Sequence, residues 1–129
     1  VSGAGLRSAD GGKTWDKVTP FPKVGDNGWR FDLTVLANGW LAASEVLGDG
    51  FGGTSWRWVV SRDDGKTWDV DKPVTFYDPG RPIGGRACPR TVQLDADTIG
   101  TVFYDTDAKQ PGGAGVFFLR TPVAALAGR

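Results

Sequence analysis

Arg81, Arg86 and Arg90 fall within ten consecutive residues, with the chain's single cysteine, Cys88, among them. A guanidinium presents a planar fork of donors that matches a carboxylate. Three at this spacing could therefore hold an acidic ligand such as a sugar acid. The competing reading makes them solvated loop cations paired with Asp78 or Asp105. Asp32 and Glu45 are a second candidate, because two carboxylates on neighbouring strands could act as acid and base on a glycosidic bond. Glu45, just before a glycine-rich loop, reads equally well as an ordinary rim residue. Cys88 has no base to activate it, since the sequence contains no His, and it reads as a small buried hydrophobe. Asp105 and Asp107 in "YDTDAKQPGG" lack the remaining ligands of a calcium loop, so a solvated turn is expected there. No metal or cofactor is expected. Trp29, Trp40, Trp56 and Trp58 could stack on sugars, although their flanking β-type residues favour packing between sheets.

The elements that must position these residues announce themselves through a repeated phrase. "SADGGKTW" runs from Ser8 to Trp15 and "SRDDGKTW" from Ser61 to Trp68, 53 positions later. Ser and Asp side chains accept hydrogen bonds from backbone N–H groups a few residues on and fold the chain back upon itself. Gly12 and Gly65 fall where such a turn needs positive φ. Thr67 and Trp68 are then expected to restart an extended strand, with the indole covering the turn. Each phrase thus reads as strand, self-bonded turn, strand, and the residues Ser8, Asp10, Gly12, Thr14 and Trp15, with Ser61, Asp63, Gly65, Thr67 and Trp68, are assigned a structural role.

Between the phrases, "RFDLTVLANGWLAASEV" (Arg30 to Val46) predicts a hairpin about Asn38-Gly39, a strong short-range hairpin signal. "SWRWVV" (Ser55 to Val60) predicts a third strand. After the connector "DPGRPIGG" the cycle restarts. "PRTVQLDADTIGTVFYD" (Pro89 to Asp105) predicts a hairpin with Asp95-Ala96-Asp97 in place of Ala37-Asn38-Gly39, and "GVFFLRT" (Gly115 to Thr121) a further strand. "PVAALAGR" closes the chain as a short helical turn or a last strand. No long segment carries a helical period.

Composition agrees with an all-β chain of short antiparallel strands. Twenty Gly and eight Pro in 129 residues supply many turns. Fifteen basic residues balance fifteen acidic ones, so nothing points to nucleic acid or to a charged membrane surface. No apolar stretch is long enough to span a bilayer as a helix. A lone cysteine forbids an internal disulfide and leaves the compartment unread. Met is absent throughout, position 1 included, and a processed product or a fragment is expected.

The pattern S-x-D-x-G-x-T-W resembles the Asp-box of sialidases and related β-propellers, where it closes the turn between the third and fourth strands of a blade. The tail, "ACPRTVQLDADTIGTVFYDTDA" followed by "GVFFLRTPVAALAG", is similar to the last blade of sialidases. That blade typically reads Ala-Tyr-Ser, a strand, a Pro-Asp-Gly turn and an Ile-Gly-Leu-Leu-Tyr-Glu strand. The resemblance implies four-stranded antiparallel blades in a six-bladed ring of roughly 320 to 340 residues. Residues 1–29 would end one blade, 30–80 form a complete one and 81–129 form the last. The rest of the ring would come from other blades or from self-association.

The resemblance further implies an exo-glycosidase acting on terminal sugars of glycoconjugates, in a secreted or periplasmic setting. A non-catalytic propeller that binds carbohydrate or protein is the alternative. Sialidases use an arginine cluster, a Tyr–Glu nucleophile pair and an Asp acid/base. This chain has Ala87-Cys88-Pro89 where the family places its Tyr. The family's Glu falls near Arg30 or Asp32, its strand-end Arg near Glu45 or Val46, and its Asp in an earlier blade. Arg81, Arg86 and Arg90, at the start of an innermost strand, would face the central funnel and are the expected substrate-binding residues, with Asp32 and Glu45 as further candidates.

Overall fold

The computed structural model describes residues 5–18, 29–47, 53–83, 89–110 and 113–127. Over these residues the chain is all-β, with antiparallel sheets and one short 3-10 helix at Val123–Ala127. Strands β1 (Gly5–Arg7) and β2 (Asp16–Val18) form a two-stranded sheet. Strands β3 (Trp29–Val35), β4 (Leu41–Leu47), β5 (Ser55–Ser61) and β6 (Val74–Tyr77) form a four-stranded meander. Strands β7 (Arg90–Asp95), β8 (Thr98–Gln110) and β9 (Gly113–Pro122) form a three-stranded one. No helix among the described residues is long and apolar enough to cross a membrane.

The β3–β4 turn shows why Asn-Gly sits where it does. Leu36 N–H donates to the Trp40 carbonyl and Gly39 N–H to the Leu36 carbonyl, both at 2.8 Å. Gly39 takes a φ of +83°, which a side chain would disfavour, and the Asn38 side chain accepts the Trp40 N–H at 3.0 Å. In the β7–β8 turn Asp95 supplies the same kind of closure, accepting the Asp97 N–H at 3.0 Å. Thr34 pairs with Ala42 and Val92 with Gly100, so the two hairpins share one register when their turns are aligned.

The core lies between the four-stranded and three-stranded sheets. Ala42, Trp58 and Val60 pack with Ile99, Val123 and Leu126, while Val46 and Trp56 pack with Phe103 and Ile83. Phe76 on β6 stacks on Trp58 with ring centroids 4.1 Å apart. The opposite face of the four-stranded sheet is buried at Ala43, Glu45 and Val59, while Leu33 and Val35 on β3 leave its edge exposed.

One expectation changes here, and one open alternative is decided. The strand after the second phrase does not restart at Thr67–Trp68. Asp69 N–H returns to the Val60 carbonyl, Val70 N–H to Trp68 and Lys72 N–H to Asp69. The first bond closes the loop back onto β5, and the two tight turns after it, followed by Pro73, delay the next strand until Val74. The first phrase, by contrast, runs directly into β2. At the chain end the helical alternative holds: Val123 N–H donates to the Asp97 carbonyl at 2.8 Å, and Val123 and Leu126 are buried in the core between the two sheets.

Candidate functional site

The two repeated phrases adopt one hydrogen-bonded turn. Ser8 Oγ accepts the Gly12 N–H at 2.7 Å and Ser61 Oγ the Gly65 N–H at 2.8 Å. Asp10 accepts the Thr14 N–H at 2.9 Å and its hydroxyl at 2.6 Å; Asp63 does the same with Thr67 at 2.8 and 2.6 Å. Gly12 and Gly65 both have positive φ, at 91° and 82°. Arg7, at the start of the first turn, donates to the Asp64 carboxylate and carbonyl of the second, so the turns stand side by side. Trp15 Nε1 bonds the Gly12 carbonyl at 3.1 Å, yet the indole stays largely exposed.

Each Asp in these turns is held as an anion by donors within four residues. The Thr14 hydroxyl, then the Thr14 N–H, keeps the Asp10 carboxyl well below the usual carboxylate range. The Thr67 hydroxyl and N–H lower Asp63 to about 2. A depressed folded-state value stabilises the fold above the unfolded value near pH 4, and that contribution is lost as pH falls through the folded value. Thermal melts are therefore expected to show stability declining between about pH 4 and pH 2, with a shallower decline in Asp63→Asn. Asp63→Ala should lower the melting temperature at pH 7 far more than Asp64→Asn does. Asp64 has a φ of 61°, a region that Asn tolerates. Equal losses at the two positions would dismiss the turn-closing role.

A second polar cluster joins β6, the connector after it and β8. Asp105 is fully buried, which overturns the expected solvated turn at this position; the Asp107 side chain lies outside the described residues. Alternation along β8 points Asp105 inward with Ile99, Thr101 and Phe103. Tyr77 Oη donates to Asp105 Oδ2 at 2.8 Å. Arg81 donates to Oδ2 at 2.7 Å and to Oδ1 at 3.4 Å, and also to the Pro82 carbonyl at 2.9 Å. Burial, then the hydrogen bond donated to Asp105, pushes the Tyr77 phenol up to about 12. The tyrosine ring packs against Phe103 and Phe117. Asp78 accepts the Gly80 N–H instead of engaging Arg81.

Glu45 is buried rather than on a rim. Arg57 faces it across β4 and β5, with Nε 2.6 Å from Glu45 Oε1. Asp32 works at the seam between sheets, accepting the Thr91 N–H at 2.6 Å and a longer contact from Arg90 at 3.3 Å. Thr34 Oγ1 adds a bond to the Thr91 carbonyl, and Trp58 Nε1 reaches Thr91 Oγ1 at 3.4 Å. Asp32 stands opposite Ser44, one residue before Glu45, so the two acids project from opposite faces of the sheet. They do not form a carboxylate pair.

The arginines also part company. Arg81 reaches the inner face of the three-stranded sheet through Asp105, whereas Arg90 is paired in register with exposed Val102 and keeps 66% of its side-chain surface in solvent. Arg86 and Cys88 lie outside the described residues. Trp56 and Trp58 are buried in the core, Trp40 lies half-buried under the Arg62 guanidinium, and the Trp29 side chain is outside the described residues. Tyr77 and Arg57 were not among the sequence candidates. An arginine in the strand facing Glu45 was the available signal for the second; nothing local marked the first.

Comparisons with protein families, with curated proteins and with solved structures return no match for this chain.

Proposed function

We propose that the chain is part of a sialidase-like β-propeller that recognises acidic carbohydrate, most of its described residues serving as framework and exposed Arg90 as the ligand contact. The observation that carries the reading is the repeated turn: two eight-residue phrases, 53 positions apart, closed by the same side-chain bonds in neighbouring antiparallel sheets. Recognition is favoured over hydrolysis because the candidate acids are engaged with arginines or backbone: Asp32 with Arg90 and Thr91, Glu45 with Arg57, Asp105 with Arg81. A glycosidase needs two carboxylates facing one bond.

The glycoside hydrolase reading keeps one supporting observation, the phenol of Tyr77 on a buried carboxylate beside a guanidinium. A phenol pushed up to about 12 is a poor nucleophile at neutral pH. Calorimetric titration with sialyllactose and with lactose tests the choice. Binding of the acidic sugar alone is expected, weakened at least about tenfold in Arg90→Ala, as the loss of one charge-assisted hydrogen bond requires. Equal response of both sugars would remove Arg90 from the site, and release of sialic acid would restore the hydrolase.

A further inference from the structure

Asn38 and Gly39 stand at the exposed tip of the β3–β4 hairpin. An Asn followed by Gly can modify itself, because the next backbone nitrogen attacks the side-chain carbonyl and glycine puts no Cβ in the way. The space where a Gly39 Cβ would stand holds no atom within 4 Å, so the tip is open to water. In the first step the Gly39 nitrogen bonds to Asn38 Cγ and the Cγ–Nδ2 bond breaks, with ammonia carrying away the amide proton. Water then opens the succinimide. Cleavage at Cγ leaves Asp, whereas cleavage at the main-chain carbonyl leaves isoaspartate, with the chain routed through Cγ and one more carbon in its backbone. Water is the only co-reactant.

Two bonds hold back the first step. The Gly39 N–H donates to the Leu36 carbonyl at 2.8 Å, which occupies the attacking nitrogen. Asn38 Oδ1 accepts the Trp40 N–H at 3.0 Å, which fixes the carboxamide on Trp40. Both must break before the ring closes, so the reaction in the folded chain follows local opening of the turn. A neighbouring element opposes that opening. Ala37 N–H donates to Gln93 Oε1 of β7 at 2.6 Å, and Gln93 Nε2 donates to the Asp95 and Ala96 carbonyls of the β7–β8 turn.

The two products leave different turns behind. Asp can keep the closure, since Asp95 closes the β7–β8 turn by accepting the Asp97 N–H at 3.0 Å, the same kind of bond that Asn38 makes to Trp40. Isoaspartate cannot, because its extra backbone carbon displaces Gly39 and Trp40 from the two bonds they share with Leu36. Leu36 is buried in the core between the sheets. Trp40 packs on that core and lies under the Arg62 guanidinium. A change at the exposed tip therefore reaches both the core and the second sheet.

We propose that Asn38 is a self-modification site, deamidated through a succinimide at a rate set by opening of the β3–β4 turn, and that its isoaspartyl product uncouples this hairpin from the β7–β8 turn. The reaction is independent of any carbohydrate ligand. The full chain is held folded in mildly alkaline buffer and, in parallel, unfolded in guanidinium chloride, with Asn38 followed by peptide mapping. Trypsin cuts after Arg30, which separates Asn38 from Asn27, the chain's other asparagine. Conversion is expected in both samples, at least about tenfold slower in the folded one, which corresponds to about 1.4 kcal/mol of turn opening. Gln93→Ala, with unchanged circular dichroism, should quicken the folded reaction alone. The isoaspartyl species, separated by chromatography, should melt below the wild type, whereas freshly prepared Asn38→Asp should melt with it. Equal rates in folded and unfolded chains overturn the proposal, and so does conversion confined to the unfolded chain. A folded Gln93→Ala chain no faster than the wild type overturns it too, as does an isoaspartyl chain as stable as Asn38→Asp. Should Gln93→Ala fail to fold, the rate comparison and the melts still decide.

Discussion

Replacing Arg81 with alanine is expected to lower the unfolding free energy by about 3–5 kcal/mol, the usual cost of leaving a buried carboxylate without its cation. Asp105 has no exposed surface, and Arg81 is only 28% exposed, so little water is at hand to take over. Tyr77→Phe should cost less, about 1.5–3 kcal/mol, the value of one hydrogen bond to a charged group. The losses will not add, because both partners serve the same oxygen, Asp105 Oδ2. Arg81→Lys should recover only part of the loss, since a point charge cannot reach both carboxylate oxygens as the fork does. Urea unfolding at neutral pH reads all of this as a shift in midpoint at constant slope. The phenol supplies a second readout. Its folded value of about 12 lies above the ordinary 10, so the stability it lends is complete below about pH 10 and lost as pH rises towards 12. A change within about 0.5 kcal/mol in Arg81→Ala, typical of a surface site, would reassign the cluster to solvent.

The pairing of Arg81 with Asp105 was among the readings of the sequence, but its burial and its Tyr77 partner were hidden for a physical reason. Arg81 and Tyr77 meet Asp105 across 24 and 28 residues, and only the packing of β6 against β8 brings them together. The repeated turns were legible because their bonds close within four residues: Ser8 to Gly12, Asp63 to Thr67. The hairpin at Asn38-Gly39 was legible for the same reason. The strand expected at Thr67 was misplaced because two tight turns and Pro73 intervene, and neither turn has a strong residue signature. Glu45 misled differently. A carboxylate before a glycine loop reads as exposed when a sheet is assumed to have one wet face, whereas here the second face is also buried around Ala43, Glu45 and Val59, although Leu33 and Val35 at its β3 edge stay exposed. The seam bond from Asp32 to Thr91 spans 59 residues, beyond any local pattern, and it turned a presumed catalytic acid into a joint between sheets.

The second large effect is expected at the pair that same sheet encloses. Arg57→Ala should cost up to about 3–5 kcal/mol, because it takes the facing guanidinium from the Glu45 carboxylate, of which only 1% is exposed. Glu45→Gln should cost less, since Arg57 retains 16% exposure and can lean its charge towards water. Removing both charges is a different experiment. Desolvating two ions offsets most of their attraction, so Glu45→Leu with Arg57→Leu is expected to unfold within about 1 kcal/mol of the wild type, or above it. The double variant then separates framework from chemistry. If the pair only fixes the register of β4 on β5, it should bind an acidic sugar as the wild type does while each single charge removal stays destabilised. If instead the carboxylate at Glu45 acts on a ligand, stability will recover and binding will not. A double variant as unstable as Arg57→Ala would show that the pair supplies net stability beyond what apolar packing can replace.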